Sequence, residues 1–388
     1  MPHPSRLVVN MKRSGIREVM DLSAGLEDVI HLEVGEPLFA TPPHIVAAAS
    51  AAGLAGFTKY TQNAGYMPLR KAIVRRLSDD YGLTLEPTNI VITVGGVGAL
   101  ATAVRAIADE GDEILIPDPG WPNYEMIVAC AGATPRRYQL DPTQGYMPNM
   151  ANLESAVSRK TKAIIINSPS NPLGVVFPSE VVRELVEFAR RRDLFVVSDE
   201  VYDKIVFEGR HTSALSLDTD GRVIGAFSCS KTYAMTGWRV GYAVAAESVA
   251  KEIAKLQEVY VSCACSVSQR AAEAAISGEQ NCVDEMRLAY YHNLCAARQI
   301  LDRHGIKYQV PKGAFYVWIY AGCNDSAEFA KRLLIEEKVA VAPGSTFGTS
   351  GREYIRISLA SSLGSITEGL ERVAAGLKNE AQRRVKER

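Results

Sequence analysis

The chain has 388 residues, 47% hydrophobic and 22% charged, with 43 Lys and Arg against 44 Asp and Glu for a net charge of −1. Basic and acidic residues are interleaved, which leaves no electrostatic footprint for nucleic acid or an anionic membrane. The length calls for about two or three domains with ample apolar material to bury.

Seven cysteines follow a start, MPHPSRLVVNMKRSG, that has no export signal, so reduced thiols are expected rather than a disulfide framework. Cys263-x-Cys265 lacks the second pair and nearby His of a zinc site, and no metal is expected. Cys229, two residues before Lys231, is the one thiol worth following. The most apolar window, Val46 to Phe57, is well under the ~20 residues of a membrane span. The expectation is a soluble, cytoplasmic protein.

From about residue 70 to 245, short apolar runs alternate with helical patterns, which predicts β-α units and a mostly parallel sheet. The predicted strands are Ile90–Val94, Glu113–Pro117, Ala163–Asn167, Leu194–Ser198, Val223–Phe227 and Val240–Val244. Glu180 to Arg192 puts Val181, Val182, Leu185, Phe188 and Ala189 on one side and charges on the other, an amphipathic helix. After about residue 285 come a long helical stretch, the strand-like Tyr308–Pro311 and Ala314–Ile319, a further helix, and Tyr354–Leu359. This is a smaller α+β region. The last twelve residues, LKNEAQRRVKER, read as a solvated helical end.

In open α/β sheets, ligands bind at the carboxyl ends of the strands. The first predicted strand runs into Gly95-Gly96-Val97-Gly98, where backbone N–H groups and a helix N-terminus can approach an anion, although a plain tight turn reads the same way. The second leads to Asp118-Pro119-Gly120-Trp121-Pro122-Asn123-Tyr124; its indole sits in a proline-stiffened polar loop, suited to stacking on a planar ligand. The third ends Asn167-Ser168-Pro169-Ser170-Asn171-Pro172, with Asn171 pushed to an extended conformation by the following proline.

The fourth ends Ser198-Asp199-Glu200-Val201-Tyr202, an acid placed straight after an apolar run, where only a cation or an N–H offsets its desolvation. The fifth gives Phe227-Ser228-Cys229-Ser230-Lys231, with Arg239 eight residues on. Hydroxyls with an Arg describe a phosphate site, and a Lys that can be desolvated describes an amine nucleophile. A lone Lys would be a solvated charge, and a lone Trp would be core. Together these strand ends ask for a planar, aromatic, phosphorylated ligand that meets a carboxylate and accepts attack by an amine. Pyridoxal 5′-phosphate meets each demand.

The ordered motifs G-G-x-G-A-L, P-x-W-P-N, N-P-x-G, D-E-x-Y, S-x-S-K and G-x-R-x-G resemble those of the fold type I, class I/II aminotransferases of the aspartate aminotransferase superfamily, over nearly the whole chain. The resemblance implies a three-layer α/β fold with an N-terminal arm (1–40) packing on the small domain and a dimer partner, a large mostly parallel-sheet domain (41–285) and a small α+β domain (286–388). It implies pyridoxal phosphate as cofactor, and ping-pong transfer of an amino group from an L-amino acid to a 2-oxo acid such as 2-oxoglutarate.

By the same resemblance, Lys231 forms the Schiff base with the cofactor aldehyde and later shuttles a proton between Cα and C4′. Asp199 keeps the pyridine nitrogen protonated, which makes the ring an electron sink. Tyr202 and Asn171 hydrogen-bond the phenolic oxygen, and Trp121 stacks on the ring. Gly96, Val97 and Gly98 cradle the phosphate with Ser228, Ser230 and Arg239, and Tyr60 reaches it from a partner subunit, so a homodimer with shared sites is implied. Arg356, in Tyr354-Ile355-Arg356-Ile357-Ser358, clamps the substrate α-carboxylate beside the Gly35 backbone, with Trp121 and Asn171 also close to substrate.

Two departures bear on substrate. Dicarboxylate-specific members of one branch carry a Lys where this chain has Val97; another supplies an Arg just before the segment at Ser262, where this chain has Lys255 and Glu258. A neutral or aromatic side chain is therefore favoured, with aspartate still open.

Other functions share parts of this pattern. Lyases, decarboxylases and oxidases use the same cofactor on this fold. An NAD-dependent dehydrogenase is suggested by the G-x-G-x-x-A spelling of 96–101 and by Asp118, twenty residues past Gly98, where a ribose-binding acid would sit. Against it, about ninety residues precede the strand and Lys231 goes unexplained. A ligand-sensing regulator would want a basic helix-turn-helix in front, which the first forty residues do not offer.

Overall fold

The computed structural model describes residues 2–11 and 13–386, without the side chains of 385 and 386. Its strands, in chain order, are β1 (Ile30–His31), β2 (Ile90–Thr93), β3 (Glu113–Asp118), β4 (Thr134–Asp141), β5 (Met147–Pro148), β6 (Thr161–Asn167), β7 (Phe195–Asp199), β8 (Val223–Ser228), β9 (Gly241–Val244), β10 (Tyr308–Gln309), β11 (Tyr316–Tyr320), β12 (Val339–Ala340), β13 (Ala342–Pro343) and β14 (Tyr354–Ser358). The six apolar runs are β2, β3, β6, β7, β8 and β9, each within two residues of its predicted ends.

The large sheet has the order β2-β9-β8-β7-β6-β3-β4-β5. The runs are continuous because both faces are covered: in β6, Ala163 and Ile165 join one apolar cluster while Ile164 and Ile166 join the other. The helix Ser179–Arg192 buries Val182, Leu185, Val186, Phe188 and Ala189 on one of these faces. It stops at Asp193, which adopts a left-handed conformation with φ 54°.

The strands β4, β3, β6, β7 and β8 run parallel, whereas β9 is antiparallel to both of its neighbours, β2 and β8. Its first residue, Gly241, therefore lies opposite Thr93 and Ser228, at the carboxyl edge of the parallel strands. That reversal brings the loop holding Arg239 to the same edge as the glycine turn. Near the sheet's far edge, β4 is a strand that apolar patterning does not disclose, since Thr134, Arg136 and Gln139 are exposed.

A second, antiparallel sheet has the order β10-β11-β14-β13. Its core also takes residues from the helices Asn281–Arg303, Ser326–Glu336 and Leu363–Lys386. β1 pairs in parallel with β12, which docks the N-terminal segment on this side of the molecule. The final helix is less solvated than its charges suggest. Glu380 is buried against Arg332, Asn379 donates to Glu337, and Arg383 pairs with Glu336. The described residues include no helix long and apolar enough to cross a membrane.

Candidate active site

A cavity of about 950 Å³ opens at the carboxyl edge of the large sheet, between that edge, the N-terminal segment and the small sheet. At its floor the chain leaves β2 through Gly95, where φ is +70°, and starts the helix Gly95–Ile107. A Cβ on Gly95 would sit 2.5 Å from the Arg239 guanidinium, and one on Gly96 would lie 2.8 Å from Val201, so only glycine lets the turn close on its neighbours. The first turn of the helix, whose N–H groups have no partner within it, lines the cavity together with Ser228, Ser230 and Arg239. Arg239 itself has φ +54°, a left-handed backbone, and its guanidinium lies beside Gly95 in the turn.

Across the floor, Asp199 ends β7 and is buried. Its Oδ2 accepts from the Tyr124 hydroxyl at 2.5 Å and its Oδ1 from the Val201 N–H at 3.3 Å. Burial pushes its carboxyl up to about 6, and no described Lys, Arg or His forms an ion pair with it. Trp121 lies in the wall, its ring edge-on to Tyr124 at 5.5 Å.

Lys231 points inward, and its Nζ donates to the Gly35 carbonyl at 2.5 Å. Burial brings its amine down to about 8, opposed by Glu36. Cys229, in contrast, is a poor thiolate former: it is buried and its thiol is pushed up to about 12.

Arg356 projects from β14 and is buried. It donates from Nη1 to Asn171 Oδ1 at 2.9 Å and from Nη2 to the Glu33 carbonyl, while its Nε has no partner in the protein. The rings of Tyr316 and Phe347 flank it at 4.2 and 5.0 Å. Because Asn171 spends its carbonyl oxygen on Arg356, its amide hydrogens remain for the cavity.

Of the residues singled out in the sequence, Gly35, Gly96, Val97, Trp121, Asn171, Asp199, Tyr202, Ser228, Ser230, Lys231, Arg239 and Arg356 all line this one cavity. Gly98 does not. It lies inside the first helical turn against Thr93. Tyr60 is also outside the lining and is 86% exposed.

Tyr124 and Tyr316 also line the cavity, although the sequence motifs single out neither as a site residue. Tyr316 had a signal. Trp318 lies opposite Arg356 in the β11–β14 ladder, and the two-residue period puts Tyr316 on the same face.

Asp118 cannot serve as a ribose acid. It is fully buried, and its carboxylate accepts from the Thr349 and Ser350 hydroxyls at 2.7 and 2.6 Å, from their N–H groups, and from Gln139. The Gly120 N–H donates to Phe347 at 2.8 Å in the same joint, which fixes the Trp121 loop to the loop before β14. Among the described residues no group of three or more His, Cys, Asp or Glu could hold a metal.

The donors fit one kind of group. A buried amine brought down to about 8, a buried acid without a cation and a glycine turn beside an arginine have the chemistry to meet the aldehyde, ring nitrogen and phosphate of pyridoxal phosphate. Fold and site thus define a class, the fold type I enzymes that use this cofactor.

The comparisons narrow it. The family described as Aminotransferase class I and II matches residues 27–373. The aspartate aminotransferase of Pyrococcus horikoshii is 35% identical over 379 residues, 96% of this chain and 97% of that one. Among solved structures, the aspartate aminotransferase of Thermus thermophilus with maleate superposes with a TM-score of 0.93 at 34% identity, covering 97% of this chain and 100% of that one. The aromatic aminotransferase of P. horikoshii gives 0.88 at 35% identity, covering 94% and 99%. The chain belongs to the class I and II aminotransferases, and it is a pyridoxal-phosphate-dependent enzyme that transfers amino groups.

Proposed function

We propose that the cavity transaminates an L-amino acid with a neutral or aromatic side chain, with aspartate a slower substrate and 2-oxoglutarate an acceptor. The observation that carries the reading is the pairing, in one cavity, of a buried amine at about 8 with a buried acid that lacks a cation. When bound, the cofactor supplies a protonated pyridine ring that draws electrons from the substrate Cα.

Lys231 Nζ holds the cofactor and, once free, takes the Cα proton; its burial keeps part of the population unprotonated near neutral pH. Asp199 holds the proton on the ring nitrogen. Asn171 Nδ2 and the Tyr202 hydroxyl donate to the phenolic oxygen, and Trp121 covers the ring. The N–H groups of Gly96 and Val97, with Ser228, Ser230 and Arg239, hold the phosphate, while Gly98 lies behind them against Thr93. Arg356 binds the α-carboxylate through its unspent N–H groups, with the Gly35 backbone alongside.

Apolar Val97, Leu100, Ile16 and Met126 line the cavity and support the side-chain preference. Arg13 and Arg17 line it too, and the relatives named for aspartate keep that substrate in view. A single-turnover screen following cofactor absorbance tests this. Aspartate and glutamate both outrunning phenylalanine, leucine and methionine would overturn the preference.

The working molecule in this reading is a cytoplasmic homodimer. Exposed Tyr60 serves the partner's phosphate, and its stretch is tied to the segment after Val261 by the Thr61 N–H to Cys263 Sγ at 3.4 Å. Exposed Val259 and Tyr260 precede that segment and supply apolar surface for the contact. An arm over 1–40, a large domain over 41–285 and a small domain over 286–388 complete it, supported by the confinement of the large sheet to 90–244 and of the small one to 308–358.

A further inference from the structure

Two phenols in the cavity wall touch. The hydroxyls of Tyr202 and Tyr316 are 2.8 Å apart, and both side chains are buried. Each carries one proton and their mutual hydrogen bond uses only one, so the direction of that bond decides which hydroxyl has a proton left to give.

The surroundings of Tyr316 favour one direction. Its ring lies against the Arg356 guanidinium, and a Cβ on Gly35 would collide with its hydroxyl, so backbone closes over that oxygen. The titratable groups facing it are Arg356 from β14, Asp199 and Tyr202 from the end of β7, and Tyr290 from the helix Asn281–Arg303. Burial raises the Tyr316 phenol while Arg356 opposes the rise, which makes it a readier donor than burial alone would leave it. Tyr202 and Tyr316 both line the cavity, but it is the Tyr316 oxygen that the Gly35 backbone covers.

We propose that Tyr316 is a positioning residue: its hydroxyl donates to Tyr202 and so turns the Tyr202 proton toward the phenolic oxygen of the cofactor, while its ring carries the Arg356 guanidinium. The inference rests on the roles given above to Tyr202 and Arg356. A phenol that accepts a hydrogen bond is itself a stronger donor, so the effect of Tyr316 passes through Tyr202. One side chain thereby serves both the cofactor's ionisation and the grip on substrate.

The test is a pH titration of the cofactor's visible absorbance in the holoenzyme without substrate, alongside KM and kcat. Tyr202→Phe is expected to raise the spectral midpoint by about one pH unit, and Tyr316→Phe by about half a unit. In a Tyr202→Phe background, Tyr316→Phe should add nothing. It keeps the ring, so KM for the amino acid should stay within about twofold; Tyr316→Leu, which loses the ring, should raise KM about fivefold with less change in kcat. Wild-type cofactor content in each variant shows that the fold is kept.

A midpoint that moves in Tyr202→Phe but not in Tyr316→Phe overturns the inference. So does a Tyr316→Phe shift that persists in full when Tyr202 is already Phe. A midpoint unmoved by Tyr202→Phe would instead overturn the role given to Tyr202.

Discussion

The two sides of the cavity are built in different ways. The side proposed to meet the cofactor takes its residues from the ends of adjacent strands of one sheet, with Thr93 and Ser228 both opposite Gly241 in the ladder. The side proposed to meet substrate is assembled from pieces that share no local sequence, such as Glu33 and Arg356, which touch across 323 residues. The first is fixed by hydrogen-bonded backbone, the second by side chains stacked on one another. Losses on the cofactor side should therefore remove chemistry, and losses on the substrate side should remove affinity.

The largest break in that contrast is Lys231→Ala. Turnover is expected to fall at least ~10³-fold, and borohydride should fix the cofactor covalently to the wild type and not to the variant. A tag surviving in the variant would exclude Lys231 as the attachment point. Asp199→Asn should lower turnover about 100-fold, on the scale of losing one strong preorganised electrostatic contact, with KM little changed. Near-normal turnover would remove its role at the ring nitrogen.

On the other side, Arg356→Lys should act mainly on KM. A compact ammonium cannot keep the bonds to Asn171 and Glu33 and also grip a carboxylate, and a rise of about thirtyfold is expected in steady-state kinetics. A fall confined to kcat would erase the contrast.

The smallest effect is one of pH. Because Lys231 is brought down to about 8, the neutral amine gains with rising pH through that value, well before surface lysines. Acylation of the apoprotein, followed by mass spectrometry, should mark Lys231 selectively up to about pH 8, with a labelling rate that falls about tenfold per pH unit below that value and a selectivity that shrinks above it as surface lysines deprotonate. Uniform labelling of all lysines at pH 8 would contradict the burial of this amine.

The same contrast explains what was legible beforehand. Cofactor residues sit in short runs after apolar strands, so strand periodicity and a few polar residues were enough to bring them together. Their geometry was less legible. Nothing in Val240–Val244 announces that β9 runs backwards, because alternation looks the same in both directions. Arg356 came from family resemblance, since a charge within a strand ordinarily reads as surface. Tyr124 and Tyr316 stayed hidden because a buried phenol differs from a core aromatic only through the partner of its hydroxyl, which is set by tertiary contacts. Asp118 misled for the same reason: the acid is real, but Thr349 and Ser350 consume it from far along the chain.

The reversed strand also sets a schedule. β2 and the glycine turn leave the ribosome early, yet Ile90 finds its ladder partner only at Val244, the last residue of β9. At about 5–20 residues per second, synthesis of the intervening chain takes roughly eight to thirty seconds. Throughout that interval the nascent glycine turn has neither Ser228 nor Arg239 beside it. The cofactor has nothing complete to bind until nearly two-thirds of the chain exists, and the apolar edge of β2 stays open to other partners until then.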